Sequence, residues 1–354
     1  MGKFILRHFT LVRTLIAALI GIAIAVLLIF LVSKDPGFSL QSFLLAPFLS
    51  RSRLSNIIEG AAPIIYCGLA IAVAFQARQF NVGAEGSLYL GAALGTAFAV
   101  STRMPAFIHI PLVLLVAAAV GAAWNFLPGL LKAKWRASEL VSSLMLNYVG
   151  YYLGLYLINF HFRDKKAGFL VSYQLPQTAW LQQFIPGTRM HWGIPLAILA
   201  ALAVYWFLYH STTGYEVRMT GYNEKFARFG GIKVSRVIIL CQLILGLVAG
   251  FGGMAEVMGI HRRFNWQLSP GYGWDGVIVA IIGRNHPLLI IAASLFLSYL
   301  RVGGQMLNLM SDVPYEMVTV IQSIIILLIT AEAFLSHWRY RVTVREAGRA
   351  GGLS

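Results

Sequence analysis

The chain reads as an all-α, polytopic membrane protein, and three observations carry that reading. Of its 354 residues, 58% are hydrophobic and only 12% charged, with a mean hydropathy of +0.73, a composition no ordinary soluble domain has. The apolar residues gather in runs suited to helices that each need about 20 residues to cross a bilayer, which leaves room for roughly eight to ten crossings. Two runs are broken by glycines and a carboxylate, at Phe80-Asn81-Val82-Gly83-Ala84-Glu85-Gly86 and at Gly271-Tyr272-Gly273-Trp274-Asp275-Gly276. A helix facing lipid should carry neither, because an ionisable group at membrane depth costs roughly 2.5–3.5 kcal/mol and normally faces a bundle interior or a wet cavity.

The elements follow in order. Segment one, about 15–32, is rich in Leu, Ile and Val on every side and suits a helix at the lipid-facing edge. Its apolar part is too long for a signal peptide, and no small-x-small cleavage pattern follows, so it is expected to stay as a first helix. Residues 34–53, with Asp35-Pro36-Gly37, are expected to form an external connection. Segments two (about 57–76) and three (about 86–101) are Ala- and Gly-rich, and small residues let helices pack closely inside a bundle. Segment four, about 106–130, ends at Lys132, Lys134 and Arg136, a basic loop that the positive-inside rule places in the cytoplasm.

Segment five, about 139–160, carries Asn147 in mid-helix and a cluster of Tyr148, Tyr151, Tyr152 and Tyr156 that fits an aromatic belt. The loop at about 161–190 faces outward, and segment six, about 192–210, returns to a basic cytoplasmic stretch at 211–236. Segment seven, about 237–259, leads outward again. Residues 274–283 are too short to span and read as a half-helix ending at Gly283-Arg284-Asn285-His286-Pro287, after which segments nine (about 288–302) and ten (about 316–334) close the bundle. Both termini then lie inside.

The net charge of +15 does not point to nucleic acid, since the basic residues sit in short loops between apolar runs rather than on one polar face. Cys67 and Cys241 fall inside apolar runs and read as packing residues, neither disulfide nor metal ligands.

The two broken runs share the pattern Gly-x-acid-Gly, with Glu85 answering to Asp275. A second match follows in the same order: Glu139-Leu140-Val141-Ser142 and Glu316-Met317-Val318-Thr319 each open an apolar helix. This predicts two pseudo-repeated halves, about 56–160 and about 237–335, in one membrane domain. Glu85 and Asp275, with Asn81, Asn147 and Trp274 nearby, are candidates to line a polar cavity; the plainer reading is that each carboxylate caps backbone N–H groups at the start of its own helix. No catalytic or metal-ligating set accompanies them.

In the 211–236 stretch, Asn223 can cap a short helix, Glu224 suits its first turn, and Gly230-Gly231 can end it. Phe226 and Phe229 then share one face, with Lys225 and Arg228 off it. Such a helix suits a protein partner or, equally, an acidic lipid surface.

These motifs together resemble the membrane subunit of bacterial ABC importers, in the permease family that serves ribose-type sugars and branched-chain amino acids. The resemblance runs from about residue 56 to about 335 and rests on Phe80 to Gly86, on Gly221-x-Asn223-x-x-x-Ala227-x-x-x-Gly231-Ile232, and on Ser269-Pro270-Gly271-Tyr272-Gly273-Trp274-Asp275-Gly276 with Gly283 to Pro287. It is closest to the branch for nucleosides or simple sugars, departing at Ser87, where glutamine is expected, and at Trp274, where Phe is commoner. The resemblance implies a type II importer half working as a homo- or heterodimer in the cytoplasmic (inner) membrane, with two ABC ATPase subunits and an extracytoplasmic substrate-binding protein. It implies that Gly221, Asn223, Phe226, Ala227, Arg228, Phe229 and Gly231 couple to the ATPase. No phosphate loop of the Gly-x-x-x-x-Gly-Lys-Ser/Thr type occurs in the chain, so ATP belongs on the partner, and this chain needs no cofactor of its own. The rival readings are a secondary carrier with Glu85 and Asp275 as ion sites and, more remotely, an intramembrane enzyme.

Overall fold

The computed structural model describes residues 20, 23–24 and 26–330, and the first expected helix therefore lies largely outside the described residues. The chain divides into two compact units, Leu54–Ser298 and the combination of Met1–Arg53 with Tyr299–Ser354. Helices are α1 (Pro36–Leu44), α2 (Arg51–Gln76), α3 (Ala84–Ser101), α4 (Ala106–Trp135), α5 (Glu139–His161), α6 (Gly193–His210), α7 (Thr212–Tyr222), α8 (Glu224–Phe229), α9 (Val234–Glu256), α10 (Tyr272–Ile282), α11 (Pro287–Met310) and α12 (Tyr315–Thr330). Among the described residues, pairing of the β kind is confined to the isolated bridges Arg163 with Ser172 and Gln183 with His191.

Six described helices are long and apolar enough to cross a membrane: α2, α4, α5, α6, α9 with the π turn Val257–His261 that continues it, and α11. Helix α10 is the short apolar helix expected of a half-crossing. Helix α3 is the centre of the larger unit. Its small residues are buried almost throughout, and its neighbours α4 and α9 approach at backbone distance. A Cβ added to Gly91 would lie 2.8 Å from both Ala117 O and Gly250 Cα, one on Gly121 2.2 Å from Gly246 O, and one on Gly246 2.0 Å from Gly121 O. Three helices thus meet main chain to main chain, where dispersion rather than exclusion of water holds them.

The loop after α5 is stitched to the π turn. Leu175 N donates to Arg262 O at 2.9 Å and Leu181 N to Met258 O at 3.2 Å, and the Arg262 guanidinium lies 4.4 Å from the Trp180 ring centroid. Here His191 is buried, its Nδ1 accepting from Gly193 N at 3.1 Å, and burial pushes its imidazole down to about 4.

Two expected segments gain detail. The 34–53 connection is largely helical: Asp35 caps α1 by accepting from Phe38 N at 3.1 Å, and Pro36 stands at the first turn, the arrangement in which proline's missing N–H costs nothing. Helix α11 also runs past the expected stop near 302 to Met310. The Gly303-Gly304 pair is a packing surface rather than a terminator, since a Cβ on Gly303 would sit 2.6 Å from Phe43 O and one on Gly304 2.4 Å from Gln322 Nε2. In the same unit Asp312 joins chain segments far apart in sequence, accepting from Ser33 Oγ at 2.7 Å and Lys34 N at 2.8 Å. Those two donors hold its carboxyl below the usual range.

Candidate functional site

Between α2 and α3 the main chain leaves the helical path, and its polar groups need partners that lipid cannot supply. Side chains of two other helices, α4 and α5, and of Asn81 in the turn itself provide them. Val82 N donates to Ser143 Oγ at 3.2 Å, Gly86 N to Asn147 Oδ1 at 2.9 Å, and Asn147 Nδ2 returns a bond to Val82 O at 2.9 Å. Asn125 of α4 donates to Gly83 O at 3.1 Å and also to Ser87 Oγ. Asn81 is fully buried: its Oδ1 accepts from Gly83 N, while its Nδ2 donates to Asn125 Oδ1 at 3.1 Å and to Gln242 Oε1 of α9. At the mouth of the turn Phe80 N donates to Glu139 Oε1 at 3.3 Å, and Glu139 Oε2 pairs with Lys132 Nζ at 2.8 Å. Asn81 and Asn147 are thus both spent on the broken backbone.

Glu85 sits buried in the first turn of α3, yet it serves another helix. Its carboxylate accepts from Ser269 Oγ, from Gly271 N at 2.8 Å and from Gly273 N. Helix α10 has Gly271 as its N-cap, at φ +80° and with no side chain to cap its own N–H groups, so an acceptor must come from outside. A Cβ on Gly273 would lie 2.5 Å from Glu85 N, so only glycine allows this approach. The two sequence motifs are therefore in physical contact, with one carboxylate lying at the positive ends of both α3 and α10. Asp275 is buried one turn into α10, where a Cβ on the adjacent Gly276 would meet Cys67 Cβ of α2 at 2.6 Å; Trp274 beside it is half-exposed.

The 211–236 stretch forms the expected short helix. Asn223 caps α8 by accepting from Phe226 N at 3.1 Å, Glu224 pairs with Arg228, and Gly231 leaves the helix at φ +83°. Ala227 is buried against Val234 and Ile238, whereas Phe226 and Phe229 are 61% and 92% exposed. Gly221 fits tightly: a Cβ there would lie 1.9 Å from Gln76 O, at the end of α2. Gln76 Nε2 in turn donates to Asn285 O at 3.1 Å, just beyond α10.

Several contributors escaped sequence reasoning. Asn125 and Gln242 are single polar residues in long apolar runs, and only their partners mark them. Glu59 of α2 and Glu256 of α9 are both buried, close enough to each other and to Arg189 to interact electrostatically, and His261 Nε2 lies 4.0 Å from Glu256 Oε1. Each is a lone acid inside an apolar run, a signal that could have found them.

Residues 53–330 match the family model described as branched-chain amino acid transport system / permease component. The chain is 34% identical over 352 residues to a glucose ABC transporter permease of Haloferax volcanii, covering 96% of this chain and 90% of that one. It is 33% identical over 324 residues to a guanosine ABC transporter permease of Bacillus subtilis, covering 90% and 92%. Against a nucleoside ABC transporter permease of Lactococcus lactis the identity is 26% over 329 residues, covering 90% of each. The family model over residues 53–330 and two relatives above 30% identity show that the chain, with its six apolar helices and its internally capped broken segment, belongs to this permease family and is the membrane subunit of an ABC importer.

Proposed function

We propose that this permease moves a nucleoside or a simple sugar into the cytoplasm, as one half of a homo- or heterodimer in the cytoplasmic membrane with both termini inside. Its partners are ABC ATPase subunits, which bind and hydrolyse ATP, and an extracytoplasmic binding protein that delivers the solute; the chain itself is no enzyme and holds no cofactor. The observation that carries this reading is near end-to-end similarity to permeases named for guanosine, nucleosides and glucose. Asn81, Glu85, Asn147, Trp274 and Asp275 border the solute path with divided roles. Four are buried, of which Asn81, Glu85 and Asn147 hold the interrupted segments in place, and half-exposed Trp274 offers the aromatic face on which a base or sugar ring would stack. Ion-coupled transport has less support, because three hydrogen-bond donors already occupy Glu85.

Uptake into membrane vesicles tests the proposal. Accumulation of a labelled nucleoside or sugar should require ATP and the binding protein; uptake that persists without ATP and collapses with a protonophore would overturn it. Docking is tested separately. Phe226→Ala combined with Phe229→Ala removes two exposed rings without disturbing Ala227, the buried side chain of α8. Truncating such anchors typically costs about 2 kcal/mol or more, so the ATPase should co-purify at least roughly tenfold less well. Intact co-purification would remove α8 from the interface.

A further inference from the structure

Beside α8 lies a cleft of about 490 Å³ lined by four cations, Lys132 and Arg136 at the end of α4 and Lys225 and Arg228 of α8, with Glu224 the one carboxylate among its lining residues. Two of the cations are already neutralised, Lys132 by Glu139 at 2.8 Å and Arg228 by Glu224 at 2.5 Å. Arg136 and Lys225 make no ion pair among the described residues. Like charges gathered around one cleft repel, and an anion between them relieves the repulsion.

The position of the cleft narrows the anion's source. It opens where α4 ends and α9 begins, and Ser235 and Ile238 of α9 form part of the wall. Both helices are long and apolar enough to cross the bilayer, so their ends mark its boundary. Trp135, next to the cleft, is 66% exposed with Lys134 Nζ 6.0 Å from its ring centroid, the pairing of indole and cation found at headgroup level. A basic pocket between helix ends at that depth suits a lipid phosphate.

We propose that this cleft binds the phosphate of an anionic glycerophospholipid headgroup, held by Arg136 and Lys225. Its leaflet, though not its existence, rests on the sidedness proposed above, which makes the lipid cytoplasmic. Occupancy also has a route inward: Lys132 in the cleft wall holds Glu139, which accepts from Phe80 N at the start of the broken segment. The headgroup thus supports the end of the helix network that carries the central turn.

The test uses the full-length chain purified in neutral detergent, with phosphatidylglycerol, phosphatidylcholine and inorganic phosphate as probes, and lipid retention read by native mass spectrometry. Each cation near a membrane surface contributes about a fivefold preference for anionic lipid. Wild-type protein should retain phosphatidylglycerol over phosphatidylcholine, and Arg136→Gln with Lys225→Gln should lower that preference roughly twentyfold. Arg136→Lys with Lys225→Arg should restore it. Lys165→Gln with Lys166→Gln, two exposed loop residues outside the cleft, should leave it unchanged. An unaltered preference in the first double variant overturns the site, and displacement of the lipid by millimolar inorganic phosphate overturns its assignment to lipid. Neither ATPase nor solute enters the assay, so these outcomes leave the transport reading standing. Labelling of Lys233→Cys in intact cells by a membrane-impermeant reagent would instead unseat the sidedness alone.

Discussion

Glu85→Ala is expected to abolish solute uptake and to lower the thermal unfolding temperature. The carboxylate accepts from Ser269 Oγ, Gly271 N and Gly273 N in a buried setting, and hydrogen bonds to charged groups contribute ~1.5–3 kcal/mol each. Removing all three leaves the partly buried start of α10 without a protein acceptor. The expected loss is about 5 °C or more in unfolding temperature, with uptake reduced to background. Glu85→Gln keeps one oxygen but sets an NH₂ group against a backbone N–H, so it should fall between wild type and alanine. A Glu85→Ala protein with wild-type uptake and stability would show that α10 does not depend on this cap.

Gly221→Val is expected to separate ATP hydrolysis from transport. Gly221 touches the Gln76 carbonyl, where even a Cβ would lie 1.9 Å away, and Gln76 Nε2 holds Asn285 O at the far end of α10. The corner formed by α7 and α8 therefore presses on one residue that reaches both interrupted segments. Overpacking of this kind costs ~1–3 kcal/mol, to be relieved by moving α7 away from α2. ATPase co-purification should survive, since Phe226 and Phe229 remain exposed, while solute transported per ATP should fall roughly tenfold. Gly221→Ala should be milder, and normal coupling in the valine variant would exclude this contact as the route of force.

How much of this was legible in the sequence depended on whether the signal was local. Helix α8 was readable in full, because Asn223, Glu224 and Gly230-Gly231 act within a few residues of each other. Helix α10 was recognisable by its length and its glycines. The partner of Glu85 was not: a carboxylate in a first turn predicts capping of its own helix, whereas here the bare N-cap Gly271 of another helix takes it. Asn125 and Gln242 matter only because folding brings them to Asn81. At Ser87, where the family resemblance led to an expectation of glutamine, a hydroxyl suffices, because Asn125 reaches across to it.

The main-chain contacts among Gly91, Gly121, Gly246 and Gly250 restrict how this molecule can move. Surfaces that touch through bare peptide planes, with no flexible side chains between them, have nothing to yield when one slides past the other. Helices α3, α4 and α9 must then travel as a single rigid slab during each transport cycle. Helix α10 is set just as closely, since a Cβ on Gly276 would lie 2.7 Å from the Cys67 carbonyl carbon of α2 and one on Gly273 2.5 Å from Glu85 N of α3, so it too has little room to slide.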